Sequence, residues 1–225
     1  MADRCVLYYI TGRSEFRGDE NARRRALLAK VAEAARAGVD YIQLREKDLS
    51  TGELEELARE AVAAVREHQL ATDHWPPTTR LLINSRTDVA LAAGADGVHL
   101  RADDVAPGEA RRVTELSGHC PLATGHFLVA ASCHSAEDVL RAEREGADFA
   151  VFAPVFEKKD APETQRAGLA ALREACGAKI PVLALGGVTL QNAALCLDAG
   201  AAGIAGIRLF QENKIADIVC ALRTI

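Results

Sequence analysis

Two hydrophobic periodicities alternate along the chain from one end to the other. Short, continuously apolar runs are typical of buried strands, and alanine-rich segments with helical spacing lie between them. The predicted strands are "CVLYYIT", "YIQLRE", "RLLIN", "GVHL", "FLVAAS", "FAVFAPVF", "PVLALGG" and "AGIAGI". Strands that are apolar on both faces need parallel neighbours and a cover of helices. Eight such strand–helix units predict a (β/α)₈ TIM-type barrel, in preference to an open doubly wound sheet, as one domain over residues 1–225.

A repeated phrase supports this prediction. The segments "ARAGVDYIQL", "LAAGADGVHL", "EREGADFAVF" and "LDAGAAGIAGI" each end a predicted helix at a glycine and enter a strand shortly afterwards. Glycine adopts the left-handed conformation that closes many helices at no steric cost. We therefore interpret the repeat as architectural and not as a nucleotide-binding loop.

Composition narrows the classes of partner. The chain has 225 residues, 49% of them hydrophobic, a net charge of −5 and no basic run, so it offers no electrostatic attraction for nucleic acid or an anionic membrane. It has no apolar stretch of about 18 residues, and the polar start "MADRCVLYYITGR" has no signal-peptide core. Its six cysteines are scattered singly, which argues against disulfides and a structural zinc. We expect a soluble, cytoplasmic protein.

The catalytic mouth of such a barrel lies at the carboxyl ends of the strands, where the last two loops often bind phosphate. Strand seven ends in "LALGGVTLQN", in which Gly186 and Gly187 present bare backbone N–H groups ahead of a helix. Strand eight ends in "GIAGIRLF", where Ile207 and Arg208 can complete the same site. Either glycine-containing loop alone is more often a turn, but the two adjacent loops together predict an anion-binding site.

Strand two, "YIQLREKDLS", places Gln43, Arg45 and Lys47 at every second position, and therefore on one strand face. An amide, a planar guanidinium and an ammonium together suit a polyanion such as pyrophosphate. The plain alternative is a solvated strand end at which Arg45 pairs with Glu46 or Asp48.

Other strand ends carry further candidates. Asn84 follows strand three as a polar rim residue, and Asp104, after strand four, can supply a hard oxygen ligand for Mg²⁺ if substrate phosphates and water complete the shell. Ser132 and His134 follow strand five. The histidine either bonds to the backbone or acts as a general acid–base group.

Two neighbouring segments complete the predicted mouth. Ser135 stands three residues before Asp138, a spacing that predicts a helix cap. The polar loop "FEKKDAPETQRAGL" is either a lid that brings Lys158 or Lys159 to a phosphate or a charged surface loop.

The ordered set "YIQLREKD", "LLIN", "ADGVHL", "SCHSAED", "GADFAVFAPVF", "IPVLALGGV" and "NAALCLDAGAAGIAGI" resembles the thiamine-phosphate synthase/TenI family over nearly the whole chain. The resemblance implies a TIM-type barrel. Synthases of this family join hydroxymethylpyrimidine pyrophosphate to thiazole phosphate with Mg²⁺ and release pyrophosphate. TenI-like members instead tautomerise a thiazole carboxylate phosphate without metal.

The resemblance also implies roles for individual positions. The pyrophosphate site of the synthases is matched by Gln43, Arg45, Lys47 and Asn84, and a magnesium ligand is matched by Asp104. Ser132 matches a residue near the reacting groups, and His134 matches the acid–base histidine of TenI-like enzymes. The backbone donors to the thiazole phosphate correspond to Gly187 and Ile207.

The chain departs from the family pattern at several positions. Ser85 replaces a second magnesium-binding aspartate, Arg101 and Ala102 replace Gly-Gln, and Arg208 replaces a serine. The usual Thr-Pro-Thr-Lys loop after strand six is absent, so Lys158 and Lys159 are only stand-ins for its lysine.

Three functional hypotheses follow. The leading one is thiamine-phosphate synthase activity, a transferase reaction, because the Gln43, Arg45 and Lys47 set and Asp104 serve a pyrophosphate that a tautomerase does not need. The alternatives are a TenI-like tautomerase that depends on His134 and a non-catalytic paralogue that binds a thiamine precursor. The expected partners are small phosphorylated pyrimidine and thiazole molecules, and the expected assembly is a homodimer.

Overall fold

The computed structural model describes residues 4–70, 79–118, 126–157 and 167–225. Eight parallel strands follow one another around a closed barrel, which confirms the predicted fold. The strands are β1 Val6–Ile10, β2 Tyr41–Leu44, β3 Arg80–Asn84, β4 Gly97–Leu100, β5 Leu128–Cys133, β6 Phe149–Phe152, β7 Val182–Ala184 and β8 Gly203–Gly206. The barrel closes at β1, where Tyr8 is in register with Tyr41 of β2 on one side and with Ala205 of β8 on the other.

Helices cover the outside of the barrel between the strands. They are α1 Glu20–Ala37, α2 Thr51–Leu70, α3 Thr87–Ala93, α4 Pro107–Ser117, α5 Ala136–Arg144, α6 Gly168–Ala175, α7 Ala193–Asp198, α8 Arg208–Gln211 and α9 Ile215–Arg223, with a 3₁₀ turn Arg13–Glu15 ahead of α1. The four glycines of the repeated phrase all have positive φ, at Gly38, Gly94, Gly146 and Gly200. The architectural interpretation of the repeat is therefore confirmed.

The barrel separates two hydrophobic cores. The larger lies between the outer strand faces and the helices, and the smaller fills the barrel interior around Tyr8, Leu82 and Val151. In the interior, Tyr41 stacks on Phe149 with ring centroids 4.8 Å apart, and Tyr8 meets Phe149 edge-on at 5.6 Å. Such aromatic pairs contribute about 0.5–1.5 kcal/mol beyond the area they bury. Beyond this apolar layer, towards the carboxyl ends of the strands, the inward positions of β2, β3 and β5 carry the polar residues Gln43, Asn84 and Ser132.

Some sequence features lie outside the described residues. These are most of the insertion "HQLATDHWPPTTR" before β3, and Lys158 and Lys159 in the loop after β6. Within the described ranges, no helix has the length and apolarity needed to cross a membrane. The five described cysteines are unpaired, and Cys5, Cys133 and Cys196 are buried as small apolar residues.

Candidate active site

A cavity of about 1080 Å³ opens at the carboxyl ends of the barrel strands. It collects most of the residues predicted from the sequence, namely Gln43, Arg45, Lys47, Asn84, Ser132, His134, Gly186, Gly187, Ile207 and Arg208. Asp104 does not line the cavity, although its neighbour Asp103 does. The cavity thus places the predicted residues of five strand ends around one space, as the barrel topology requires.

The end of β2 differs in one respect from the prediction. The strand stops at Leu44, so Arg45 and Lys47 belong to the following loop and not to the strand face that carries Gln43. All three still line the same cavity. Arg45 is half-buried and Lys47 is exposed, and in the described part of the chain no hydrogen bond or ion pair occupies either cationic head.

Charge crowding marks this side of the cavity. Burial lowers the pKa of Arg45, the Glu46 carboxylate partly opposes this shift, and the nearby Arg101 guanidinium lowers the pKa further. Repulsion from Arg45, followed by burial and by Arg101, lowers the pKa of Lys47. Three cationic side chains therefore act on one another across a small region, an arrangement that a multiply charged anion relieves.

The alternative pairing of Arg45 with Glu46 or Asp48 is wrong, because both carboxylates bind Arg13. Arg13 Nη1 donates to Glu46 Oε2 at 3.1 Å, and Arg13 Nη2 donates to Asp48 Oδ2 at 2.8 Å. The Arg13 and Glu46 side chains are only 6% and 3% exposed. Thr11 Oγ1 donates to Glu46 Oε1 at 2.6 Å and accepts from the Arg45 N–H at 2.9 Å. This buried cluster, which we did not predict, fixes the loop that carries Arg45 and Lys47.

Asn84 is held by two neighbouring polar side chains. Gln43 Nε2 donates to Asn84 Oδ1 at 2.8 Å, and Asn84 Nδ2 donates to Ser85 Oγ at 3.0 Å. Ser85 has a φ of 62°, the only positive φ at a non-glycine residue among those described. The two contacts fix the orientation of the Asn84 amide at the rim.

His99 is a cavity residue that the sequence analysis missed. It is 2% exposed, and its ring nitrogens lie 2.9 Å from Tyr8 Oη and 2.8 Å from Ser132 Oγ. Burial and the charge of Arg45 lower its pKa to about 3, so the ring is neutral near pH 7. The signal was present in "GVHL", where His99 alternates with two apolar neighbours and so points into the barrel.

His134 lies at the exposed end of β5. Its Nδ1 is 2.7 Å from the carbonyl oxygen of Ala153, and a carbonyl only accepts, so Nδ1 carries the hydrogen. Nε2 then remains as the basic nitrogen. The next residue, Ser135, caps α5 in a capping box with Asp138, which confirms the predicted cap.

The loops after β7 and β8 supply backbone donors. Gly186 and Gly187 have φ values of 97° and 64°, and a Cβ on Gly187 would lie 2.5 Å from the carbonyl oxygen of Glu157. Glycine is therefore required here by packing as well as by conformation. Among hydrogen bonds within the described ranges, none uses the N–H groups of Gly187 or Ile207, both of which line the cavity.

The loop after β4 binds its own carboxylates. Asp104 Oδ2 accepts from the Arg101 N–H at 2.7 Å, and Asp103 Oδ2 accepts from Arg101 Nη2 at 2.5 Å. No cluster of three or more histidine, cysteine, aspartate or glutamate residues suited to a metal ion occurs among the residues described. Any metal at this loop therefore needs oxygen ligands beyond these two carboxylates.

Fold and site together define the class of protein as a (β/α)₈-barrel enzyme whose mouth carries cationic side chains and backbone N–H donors. The chain belongs to the thiamine monophosphate synthase family, whose model matches residues 7–210. It is 40% identical to the thiamine-phosphate synthase of Methanoculleus marisnigri, over 97% of this chain and 92% of that protein. It is 36% identical to the corresponding synthase of Caldanaerobacter subterraneus, over 98% and 93%. The solved thiamine phosphate pyrophosphorylase of Pyrococcus furiosus superposes with a TM-score of 0.75 at 29% identity, over 99% of this chain and 95% of that one.

Proposed function

We propose that the chain is a thiamine-phosphate synthase that joins hydroxymethylpyrimidine pyrophosphate to thiazole phosphate, giving thiamine phosphate and pyrophosphate. The observation that carries the proposal is the pair of anion-binding groups in one cavity. Arg45 and Lys47 offer cationic heads without a partner in the described chain, and the Gly187 and Ile207 N–H groups offer backbone donors at another pair of strand ends. A reaction between a pyrophosphate ester and a phosphate monoester needs both groups, and the named relatives support this reaction.

The chemistry proceeds by ionisation. The bond between the pyrimidine methylene carbon and the pyrophosphate oxygen breaks, and the electron pair leaves with the oxygen. Arg45 and Lys47 stabilise the charge that develops on that oxygen, which is where electrostatic catalysis contributes most. The thiazole nitrogen donates its lone pair to the resulting carbocation and forms the new C–N bond. The backbone donors at Gly187 and Ile207 hold the thiazole phosphate so that this nitrogen faces the carbon.

Mg²⁺ belongs to the proposal as a cofactor that enters with the substrate. Carboxylate oxygens are the ligands it prefers, and Asp104 and its neighbour Asp103 each have one oxygen engaged by Arg101. Asp103, which lines the cavity, would hold the ion together with substrate phosphate oxygens and water, and Asp104 would join it by turning its carboxylate from the Arg101 N–H towards the cavity. When bound, Mg²⁺ supplies additional positive charge to the leaving pyrophosphate.

The test is thiamine phosphate formation by the purified protein from both substrates, with Mg²⁺ or with EDTA. We expect metal-dependent product, and a loss of about 10²-fold or more in kcat/KM when Arg45→Gln or Lys47→Gln removes a cation from the leaving group. Arg59→Gln is the matched control, because Arg59 lies on the outer surface of α2, away from the cavity, where it pairs with Glu55 and donates to the carbonyl oxygen of Ala92. Unchanged synthesis in both cavity variants would overturn the proposed role of this cluster.

A second candidate, the TenI-like tautomerase, is favoured by one observation. The Nδ1–H of His134 is fixed on the Ala153 carbonyl, which leaves Nε2 as a base at the cavity. If the protein is a tautomerase, His134→Gln abolishes isomerisation of the thiazole carboxylate phosphate and leaves its binding intact. If it is a synthase, the same variant still forms thiamine phosphate. Binding of both phosphorylated precursors without any turnover would support the non-catalytic paralogue instead. A cytoplasmic location and a homodimer remain predictions.

A further inference from the structure

A chain of three buried or partly buried groups runs from the barrel interior to the cavity wall. It begins at Tyr8, which is fully buried, continues through His99, and ends at Ser132, which lines the cavity. Tyr8 Oη lies 2.9 Å from His99 Nδ1, and His99 Nε2 lies 2.8 Å from Ser132 Oγ. Both distances are those of good hydrogen bonds.

The direction of these hydrogen bonds follows from donor accounting. Within the described chain, His99 Nδ1 is the only acceptor within hydrogen-bonding distance of the Tyr8 hydroxyl. A buried hydroxyl hydrogen without an acceptor is unfavourable, so Tyr8 donates to Nδ1. A neutral imidazole has one N–H, which must then be on Nε2 and donate to Ser132 Oγ.

Ser132 is left with one hydrogen to place. Its oxygen already accepts from His99, and no other hydrogen bond involves its side chain in the part of the structure described. The Ser132 O–H therefore points to the cavity as a donor. With the opposite tautomer Ser132 would donate to His99 and offer the cavity only lone pairs, while the Tyr8 hydrogen would have no acceptor.

Protonation of His99 does not change the direction of these hydrogen bonds near neutral pH. The ring is enclosed in the barrel, and the Arg45 guanidinium on the cavity side opposes a second positive charge. Tyr8 and Ser132 face the two ring nitrogens, and neither carries a charge that would favour imidazolium.

We propose that Tyr8 and His99 are positioning residues that fix the Ser132 hydroxyl as a hydrogen-bond donor, so that the site selects a ligand with an acceptor atom at this point. The acceptor is a phosphate oxygen or a ring nitrogen of the pyrimidine. Only the identity of the ligand rests on the proposed function, since the tautomer of His99 is a property of the free protein.

The tautomer can be measured directly by nuclear magnetic resonance on protein labelled with ¹⁵N-histidine. The chain has six histidines, and the signals of His99 are those missing from His99→Asn. We expect the hydrogen on Nε2 in the wild type, and a shift of at least several-fold towards the Nδ1–H form in Tyr8→Phe, which removes only the hydroxyl. A wild-type signal from Nδ1–H would overturn the proposal even if Tyr8→Phe failed to fold.

Tyr9→Phe is the matched control. Tyr9 is equally buried and is next in sequence, but its hydroxyl points away from the barrel interior and donates to Gln211 Oε1 at 3.0 Å. Tyr9→Phe removes a hydroxyl group just as Tyr8→Phe does, but from a residue that does not contact His99. The His99 tautomer should therefore not change in Tyr9→Phe. An equal tautomer shift in both variants would show that general loosening of β1, and not the Tyr8 hydroxyl, is responsible.

Calorimetric titration identifies the acceptor. If Ser132→Ala weakens the binding of inorganic pyrophosphate by about tenfold, the acceptor is a phosphate oxygen. If inorganic pyrophosphate binds equally well and only the pyrimidine pyrophosphate loses about tenfold, the acceptor is a ring nitrogen. Unchanged affinity for both ligands would overturn the donor role of Ser132. None of these readouts requires turnover, so their failure is distinct from failure of the proposed synthase reaction.

Discussion

Replacing Arg13 by methionine tests how far the cationic loop depends on a buried ion pair. Arg13 binds three carboxylates, and only that of Glu46 is buried, at 3% side-chain exposure, against 68% for Asp48 and 56% for Glu20. Methionine keeps an unbranched stem of similar length and removes the charge and all the side-chain donors. The variant therefore leaves the Glu46 carboxylate inside the protein with only the Thr11 hydroxyl and the residue 13 N–H as donors.

The expected loss of unfolding free energy comes mostly from this one carboxylate. Removing one partner of a buried pair costs about 3–5 kcal/mol, and the two exposed pairs contribute about 0–1 kcal/mol each. Because Glu46 keeps two hydrogen-bond donors, we expect a loss near the lower end, about 3–4 kcal/mol. We also expect kcat/KM for synthesis to fall by about tenfold or more, since Arg45 and Lys47 flank Glu46 in the loop and lose their fixed position.

Urea denaturation of the wild type and of four variants, Arg13→Met, Arg24→Met, Glu46→Gln and the double variant Arg13→Met/Glu46→Gln, measures this loss. Arg24→Met is the control, because Arg24 also binds two carboxylates, but those of Glu56 and Glu60 are 69% and 45% exposed, and its loss should stay below about 1 kcal/mol. Combining Arg13→Met with Glu46→Gln removes the unpaired charge and should recover a large part of the stability. Equal losses for Arg13→Met and Arg24→Met, or a double variant whose loss is the sum of the two single losses, would refute the reasoning.

Two further predictions concern the site. Gly187→Ala should lower the unfolding free energy by about 2–4 kcal/mol, because residue 187 has a positive φ and a Cβ there would lie 2.5 Å from the carbonyl oxygen of Glu157. Gly52→Ala in α2, where the space around the residue is open, should be neutral or stabilising. Similar losses for the two variants in urea denaturation would contradict this prediction. His99 has a pKa of about 3 in the folded protein, below the value of about 6.5 in the unfolded chain. As the pH falls, the unfolded chain therefore binds a proton first, and the stability of the folded protein decreases below pH 6.5, by about 2 kcal/mol at pH 5. His99→Asn should remove this part of the pH dependence, and parallel stability curves for the two proteins would contradict the prediction.

The fold was predictable because its signals are local. Continuous apolar runs mark parallel strands, and glycines at positive φ mark the helix ends, so all eight strands could be read from the sequence. The short helix α8 was not predicted, because four residues are too few to show a helical period. The predicted end of β2 was wrong, because the polar alternation of Gln43, Arg45 and Lys47 continues beyond the last strand residue, Leu44. At the next residue the Arg45 N–H donates to Thr11 Oγ1 and no longer to a neighbouring strand.

The candidate site was predictable to the extent that topology alone gathers it. Ten of the predicted residues line one cavity because parallel strands of a barrel all end at the same rim. Asp104 is the exception within the described chain. Its carboxylate binds the Arg101 N–H in its own loop, and nothing in the sequence "HLRADD" distinguishes it from Asp103, which does line the cavity.

The residues that the sequence did not reveal are mainly the ones that orient those it did. Arg13 reaches Glu46 across 33 positions and so fixes the loop of Arg45, and His99 reaches Ser132 across another 33. The residue type alone predicts the role of a rim residue, since a cation at a strand end indicates an anionic ligand. The residue type does not identify a supporting residue, because a buried polar group that bonds to a distant partner is equally typical of an ordinary protein core. The partner becomes visible only when tertiary geometry brings the two side chains together, so the orientation of the site had to come from the structure.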